Sequence, residues 1–164
     1  MKKAILLPVA VLLLNVASRS AAAERVQNVS FQSGGDRLSG LLVVPSREAP
    51  HGVIVFVPGD GEFRKDALFN PDDTHEISRA YRPVGDWHRF LELGYACFAW
   101  DKPGSGESTG NWRTDTVLDR EAEVISALEF LKTRADIDPA RIGLWGIAQA
   151  GWVMPAVAGE RSDV

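Results

Sequence analysis

The chain has 164 residues, 45% of them hydrophobic and 24% charged, with a formal net charge of −4. That is apolar material for one packed core, and no second domain is signalled. The acidic balance argues against nucleic acid or an anionic membrane as partner, and the single cysteine, Cys97, excludes an internal disulfide.

The first element is a leader. Met1, Lys2 and Lys3 precede an apolar run from Ala4 to Ala17, and Ala21-Ala22-Ala23 forms a small-residue exit. A basic start, a short hydrophobic middle and such an exit make a cleavable secretory signal. The run falls short of the ~20 residues of a spanning helix, and Pro8 and Asn15 interrupt it. The expectation is a signal peptide over residues 1–23, cut before Glu24, and a secreted or periplasmic product without a stable membrane anchor. Residues 24–164 then form one domain with 15 basic and 22 acidic side chains.

Arg25–Phe31 and Arg37–Pro45 read as two strands around the turn Ser33-Gly34-Gly35-Asp36. Gly52–Val57 is a continuous apolar run rich in β-branched residues, as in a strand buried on both faces. A polar connection from Pro58 to about Arg79 follows, then a helix from about Arg82 to Leu93, stopped by Gly94. Tyr95–Trp100 is the next buried strand, with Cys97 as an inert thiol within it. Asp101–Arg113 is a Gly-rich loop.

The longest helix is expected from about Asp115 to Arg134. Its apolar stripe is Leu118, Ala122, Ile125 and Leu128, widened by Val117, Val124 and Leu131. Glu121, Glu123 and Glu129 read as its solvated flank. Asp138-Pro139 reads as a turn, Arg141–Trp145 as a short strand, and Gly146–Gly151 as a sharp bend into a last helix reaching about Ala158. Strands alternating with helices after an opening hairpin imply an α/β domain with a mostly parallel sheet. Ligands on such sheets bind beyond the carboxyl ends of the strands. The loops at Pro58–Gly61, Asp101–Gly110 and Gly146–Gly151 leave at that edge and should meet there.

Three segments in register resemble the α/β-hydrolase superfamily, most like its bacterial serine-esterase and dienelactone-hydrolase-like branches. Val57-Pro58-Gly59-Asp60-Gly61 stands where the family has a His-Gly-x-Gly loop. Asp101-Lys102-Pro103-Gly104-Ser105-Gly106-Glu107-Ser108 resembles the D-x-R-G-x-G-x-S loop. Asp138 to Gly146 leads into the position of the nucleophile elbow. The resemblance covers nearly all of residues 24–164. It implies the N-terminal part of an α/β-hydrolase fold, truncated just after the elbow helix.

An elbow serine sits on a strained strand-to-helix turn, so its neighbours must be small. The turn here is Gly146-Ile147-Ala148-Gln149-Ala150-Gly151, and the resemblance assigns Ala148 to the place of the serine. A methyl group cannot attack an acyl carbon, and losing such a nucleophile costs on the order of 10⁶-fold in turnover in a related mechanism. By the same resemblance the oxyanion hole is formed by the backbone N–H groups of Asp60 and Gln149, with Gly59, Gly61, Gly146 and Gly151 as loop and elbow glycines. The family's Asp and His follow the nucleophile in chain order, whereas His51, His75 and His88 all precede it here. The chain is therefore expected to be inactive, with a small ester-type molecule as its ligand and no cofactor.

Gly106-Glu107-Ser108-Thr109-Gly110 spells G-x-S-x-G, but it lies mid-loop, so Ser108 reads as a hydroxyl bonding nearby backbone. Gly104, Gly106 and Gly110 suggest a dinucleotide-binding oxidoreductase, yet such a loop should run straight from strand into helix. Asp72, Asp73, His75 and Glu76 follow no metal-ligand spacing, and no metal is expected. Arg64-Lys65-Asp66 reads either as a substrate-side stretch or as a solvated loop. A non-catalytic remnant or binding module remains the alternative function. The Arg141–Trp145 strand, lying at a sheet edge, could mediate self-association.

Overall fold

The computed structural model describes residues 24–69, 87–162 and 164. The leader, the Asp72–Glu76 stretch and residues 82–86 of the expected helix lie outside the described residues. Strands β1 (Arg25–Ser33) and β2 (Asp36–Val44) form an antiparallel hairpin with Ser33 opposite Asp36. Gly34 turns the chain at φ 58°, a left-handed value suited to glycine in a two-residue loop. Then follow β3 (His51–Val57), the single turn α1 (Asp66–Phe69), α2 (Trp87–Glu92) and β4 (Ala96–Trp100). Helix α3 (Val117–Lys132), β5 (Ile137–Gly146) and α4 (Ala150–Glu160) complete the order.

The sheet runs β1-β2-β4-β3-β5. β4, β3 and β5 are parallel, and the hairpin joins them antiparallel through β2. Both faces are covered, which is why the central strands read as unbroken apolar runs. Alternate residues Val53, Val55, Val57, Ala96, Phe98 and Trp100 pack with Val124, Leu128, Val153 and Val157 of α3 and α4. The intervening Phe56, Cys97 and Ala99 pack with Phe63, Leu68 and Leu91 on the other face. Burial pushes the Cys97 thiol well above its usual pKa, keeping it protonated.

The structure corrects four sequence expectations. The buried stripe of α3 is Arg120, Glu123, Val124, Ala127, Leu128 and Leu131, while Val117 and Leu118 are exposed. The period is that of a helix, but its phase differs, because Arg120 and Glu123 pair with one another and carry the inward face into the first turns. Glu123 is therefore buried instead of solvated. The β5 strand begins at Ile137. Four residues, Asp138–Arg141, are accommodated between the pairs Ile137–His51 and Ile142–Val53, so Asp138-Pro139 lies in a strand irregularity. His51 is the buried first residue of β3, and the polar connection after Pro58 includes α1.

Capping of α3 follows directly from the sequence. Thr116 accepts from the Asp119 N–H, and the Asp119 carboxylate accepts from the Thr116 N–H at 2.8 Å.

Phe98 sits in an aromatic cluster, its ring 6.0 Å from Phe31, 6.0 Å from Trp100 and 5.9 Å from Phe130. A Cβ at Gly40 would meet this ring at 2.7 Å. Gly40→Ala is therefore expected to cost about 1–3 kcal/mol of overpacking, read from urea unfolding. An unchanged midpoint would show that the aromatic cluster yields.

Candidate active site

The carboxyl ends of β3 and β5 are level, with Val57 paired to Gly146. The chain leaves β5 through Ile147, Ala148 and Gln149 and enters α4 at Ala150. Ala148 has φ 54° and is the left-handed non-glycine residue among those described. That conformation costs an L-residue roughly 1–2 kcal/mol. The bend around it is tightly packed. A Cβ on Gly146 would lie 2.5 Å from the Ala150 Cβ and 2.9 Å from the Val57 carbonyl oxygen. Hence position 146 must be glycine and position 150 small. The turn closes through Ala150 N–H to Ile147 O at 3.2 Å and Gly151 N–H to Ala148 O at 2.9 Å. Gly151 has no such role, since a Cβ there would meet nothing within 4 Å.

Beside this bend lies an open cleft of about 440 Å³ lined by Asp60, Val117, Ala148, Gln149 and Trp152. Three of the sequence-derived site residues thus meet on one surface. Neither the Asp60 nor the Gln149 N–H donates to another backbone group among the described residues. Gly61 is left-handed at φ 70°, which lets the loop after Asp60 turn away. Gly59 is buried, and its carbonyl accepts from Lys102 Nζ at 3.1 Å. The apolar wall is formed by Val117 and by Trp152, which is 77% exposed.

A buried charged group underlies the first loop. Arg120 pairs with Glu123 and donates to the Pro58 carbonyl at 3.1 Å. Glu123 also accepts from Trp100 Nε1 at 3.0 Å. Burial raises the Glu123 and Asp115 carboxyls above their ordinary range, while burial and the neighbouring Arg120 pull Lys102 down to about 8. Sequence patterning missed this group because Arg, Glu and Lys on a helix and a loop ordinarily signal solvent.

The second loop is folded onto its own carboxylate. Asp101 accepts from Lys65 N–H at 2.7 Å, Lys65 Nζ at 2.9 Å and Glu107 N–H at 2.9 Å. Lys65 Nζ also bonds Glu107 at 2.9 Å. Burial alone would lower the Lys65 pKa, but these two carboxylates more than offset it and the net shift is upward. Lys65 is therefore a buried staple, neither substrate-side nor solvated. Ser108 Oγ donates to the Asp101 carbonyl at 2.8 Å and accepts from Ser39 N–H at 2.9 Å, so it is held as a loop hydroxyl. The loop glycines have the same explanation. A Cβ at Gly106 would collide with the Asp101 carboxylate, one at Gly104 with the Gly110 carbonyl, and one at Gly110 with Asp36. They serve close self-packing, which removes the basis for a phosphate cradle.

The described histidines lie elsewhere. His51 opens β3, at the opposite end of the strand from the cleft, and His88 on α2 stacks on Trp87 with ring centroids 3.6 Å apart. His75 lies outside the described residues.

No family model matches the sequence, and no curated protein matches it. Solved structures do match. An α/β hydrolase from Penicillium sp. sh18 is similar at 23% identity and a TM-score of 0.62, over 85% of this chain and 43% of the other. An acetyl xylan esterase from Paenibacillus sp. R4 is similar at 19% identity and a TM-score of 0.62, over 92% of this chain and 49% of the other. A Pyrococcus furiosus esterase is similar at 19% identity and a TM-score of 0.63, over 86% and 49% respectively. The chain spans less than half the length of each of these three proteins. Its fold is that of the α/β hydrolases.

The elbow geometry makes opposite predictions for two small changes. Gly146→Ala forces backbone apart and should destabilise by at least about 2 kcal/mol. Ala148→Gly relieves the left-handed strain and, after the entropy cost of glycine, should stabilise by roughly 0.5–1 kcal/mol. Denaturant unfolding of both variants checks the pair, and destabilisation by Ala148→Gly would contradict the strained turn.

Proposed function

We propose that this chain presents a serine-carboxylesterase site without its nucleophile, and that it binds a small ester-type or carboxylate ligand without hydrolysing it. The observation that carries this reading is Ala148, left-handed at the strand-to-helix bend and facing the same cleft as Asp60 and Gln149. An acyl transfer begins with an oxygen lone pair at that bend and a base to take its proton. The Ala148 methyl supplies neither the lone pair nor the proton.

What remains suits binding of the acyl oxygen. The Asp60 and Gln149 N–H groups belong to the backbone, so they survive loss of the nucleophile, and Gln149 stands next to the start of α4, where the helix dipole favours negative charge. Val117 and Trp152 offer an apolar wall for an acyl chain or aromatic ring beside these donors. The chemistry favours a carboxylate, or an ester carbonyl, carrying an apolar substituent.

Two measurements on the purified chain test the proposal. Release of p-nitrophenol from p-nitrophenyl butyrate should equal the rate in buffer, and Ala148→Ser alone should not raise it, because neither described histidine reaches the cleft. Titration with benzoate should shift the Asp60 and Gln149 amide resonances saturably. Saturable ester hydrolysis by the unaltered chain, or benzoate shifts confined to other residues, would overturn the reading.

A further inference from the structure

The Gly59–Asp60 peptide must be oriented if its N–H is to face the cleft, and the described residues supply a device for this. In a trans peptide the carbonyl and the N–H point in opposite directions. Fixing the Gly59 oxygen therefore fixes the Asp60 N–H. That oxygen accepts from Lys102 Nζ at 3.1 Å, and Lys102 is 2% exposed. The preceding carbonyl, Pro58 O, accepts from Arg120 at 3.1 Å. Two buried cations thus hold consecutive carbonyls of one loop.

We infer that Lys102 is a positioning residue for the oxyanion loop: its ammonium holds the Gly59 carbonyl inward and so turns the Asp60 N–H into the cleft, with Arg120 bracing the peptide before it. This rests on the oxyanion role proposed above for Asp60. Lys102 is itself fixed at both ends. Its backbone N–H donates to Phe63 O at 3.0 Å, and its Nζ lies 5.5 Å from the centroid of the Trp112 ring. Charged groups face it from every side: Arg120 and Glu123 from α3, Asp115 from the segment before α3, and Asp60 from the loop it holds. Burial and Arg120 outweigh the three carboxylates, which brings its titration to about pH 8. The loop carbonyl thus gains a strong, charge-assisted donor that weakens when the proton leaves. An apolar residue such as methionine at position 102 could fill the space but has no donor for this bond.

The inference is tested by following the ¹⁵N resonance of Asp60 without ligand, because that nucleus senses hydrogen bonding at the preceding carbonyl. In the unaltered chain the resonance should titrate with a midpoint near pH 8. It should lose that step in Lys102→Met and recover a perturbed, pH-independent position in Lys102→Arg, whose guanidinium stays charged. In benzoate titrations, Lys102→Met should weaken binding about tenfold and reduce the Asp60 shift while sparing that of Gln149, with Lys102→Arg restoring part of the affinity. An Asp60 resonance that shows no step as Lys102 loses its proton in the unaltered chain would overturn the clamp. Benzoate affinity unchanged in a folded Lys102→Met variant would do so too. If benzoate fails to bind the unaltered chain, the functional reading falls, while the ligand-free titration still judges the clamp.

Discussion

The site depends on how closely two parallel strands end. Val57 and Gly146 lie side by side at the carboxyl edge, and the chain must leave that edge and enter α4 within three residues. The Val57 carbonyl and the Ala150 methyl leave no room for a side chain on residue 146. The turn is made with a left-handed residue at 148, which faces the cleft. Whatever occupies that position is presented to the cleft. In this chain it is a methyl group, which on the reading proposed above stands where a serine esterase would present its attacking atom.

Buried charge surrounds this bend at two levels. Lys65 and Asp101 lock the loop after β4 against the loop after β3, and Arg120, Glu123 and Lys102 hold the carbonyls of Pro58 and Gly59 from beneath. Such pairs are poor sources of stability, because desolvating each ion offsets much of the attraction. Their value is directional. Hydrogen bonds from ammonium and guanidinium groups fix peptide planes that apolar packing would leave free to rotate, and pre-set N–H groups need no reorganisation when an oxygen arrives. The presence of this group beneath the Asp60 loop is the physical reason for proposing the cleft as a binding site.

Much of this was legible in the sequence because glycine and alternation have strict physical causes. Unbroken apolar runs at Gly52–Val57 and Tyr95–Trp100, short and rich in β-branched or aromatic residues, read as strands covered on both faces, and they place the three loops at one edge. The Gly146, Ala148 and Ala150 spacing points to the sharp strand-to-helix bend that the structure shows. Other features were hidden for equally definite reasons. Arg120 and Glu123 read as surface residues because their mutual pairing is invisible in a linear pattern, and that shifted the expected phase of α3. Lys65 was ambiguous until its two carboxylate partners came together from 36 and 42 residues away. Lys102 occupies a variable position of its loop motif, so nothing in the motif pointed to the Gly59 carbonyl.

The central claim is that this chain holds no activated serine, because the position that would present one carries Ala148. Incubating the chain with a fluorophosphonate ester, which marks activated serines covalently, and weighing the intact protein tests this most directly. The account predicts an unchanged mass under conditions that label a serine esterase fully. A stoichiometric adduct mapped to Ser105 or Ser108 would contradict it.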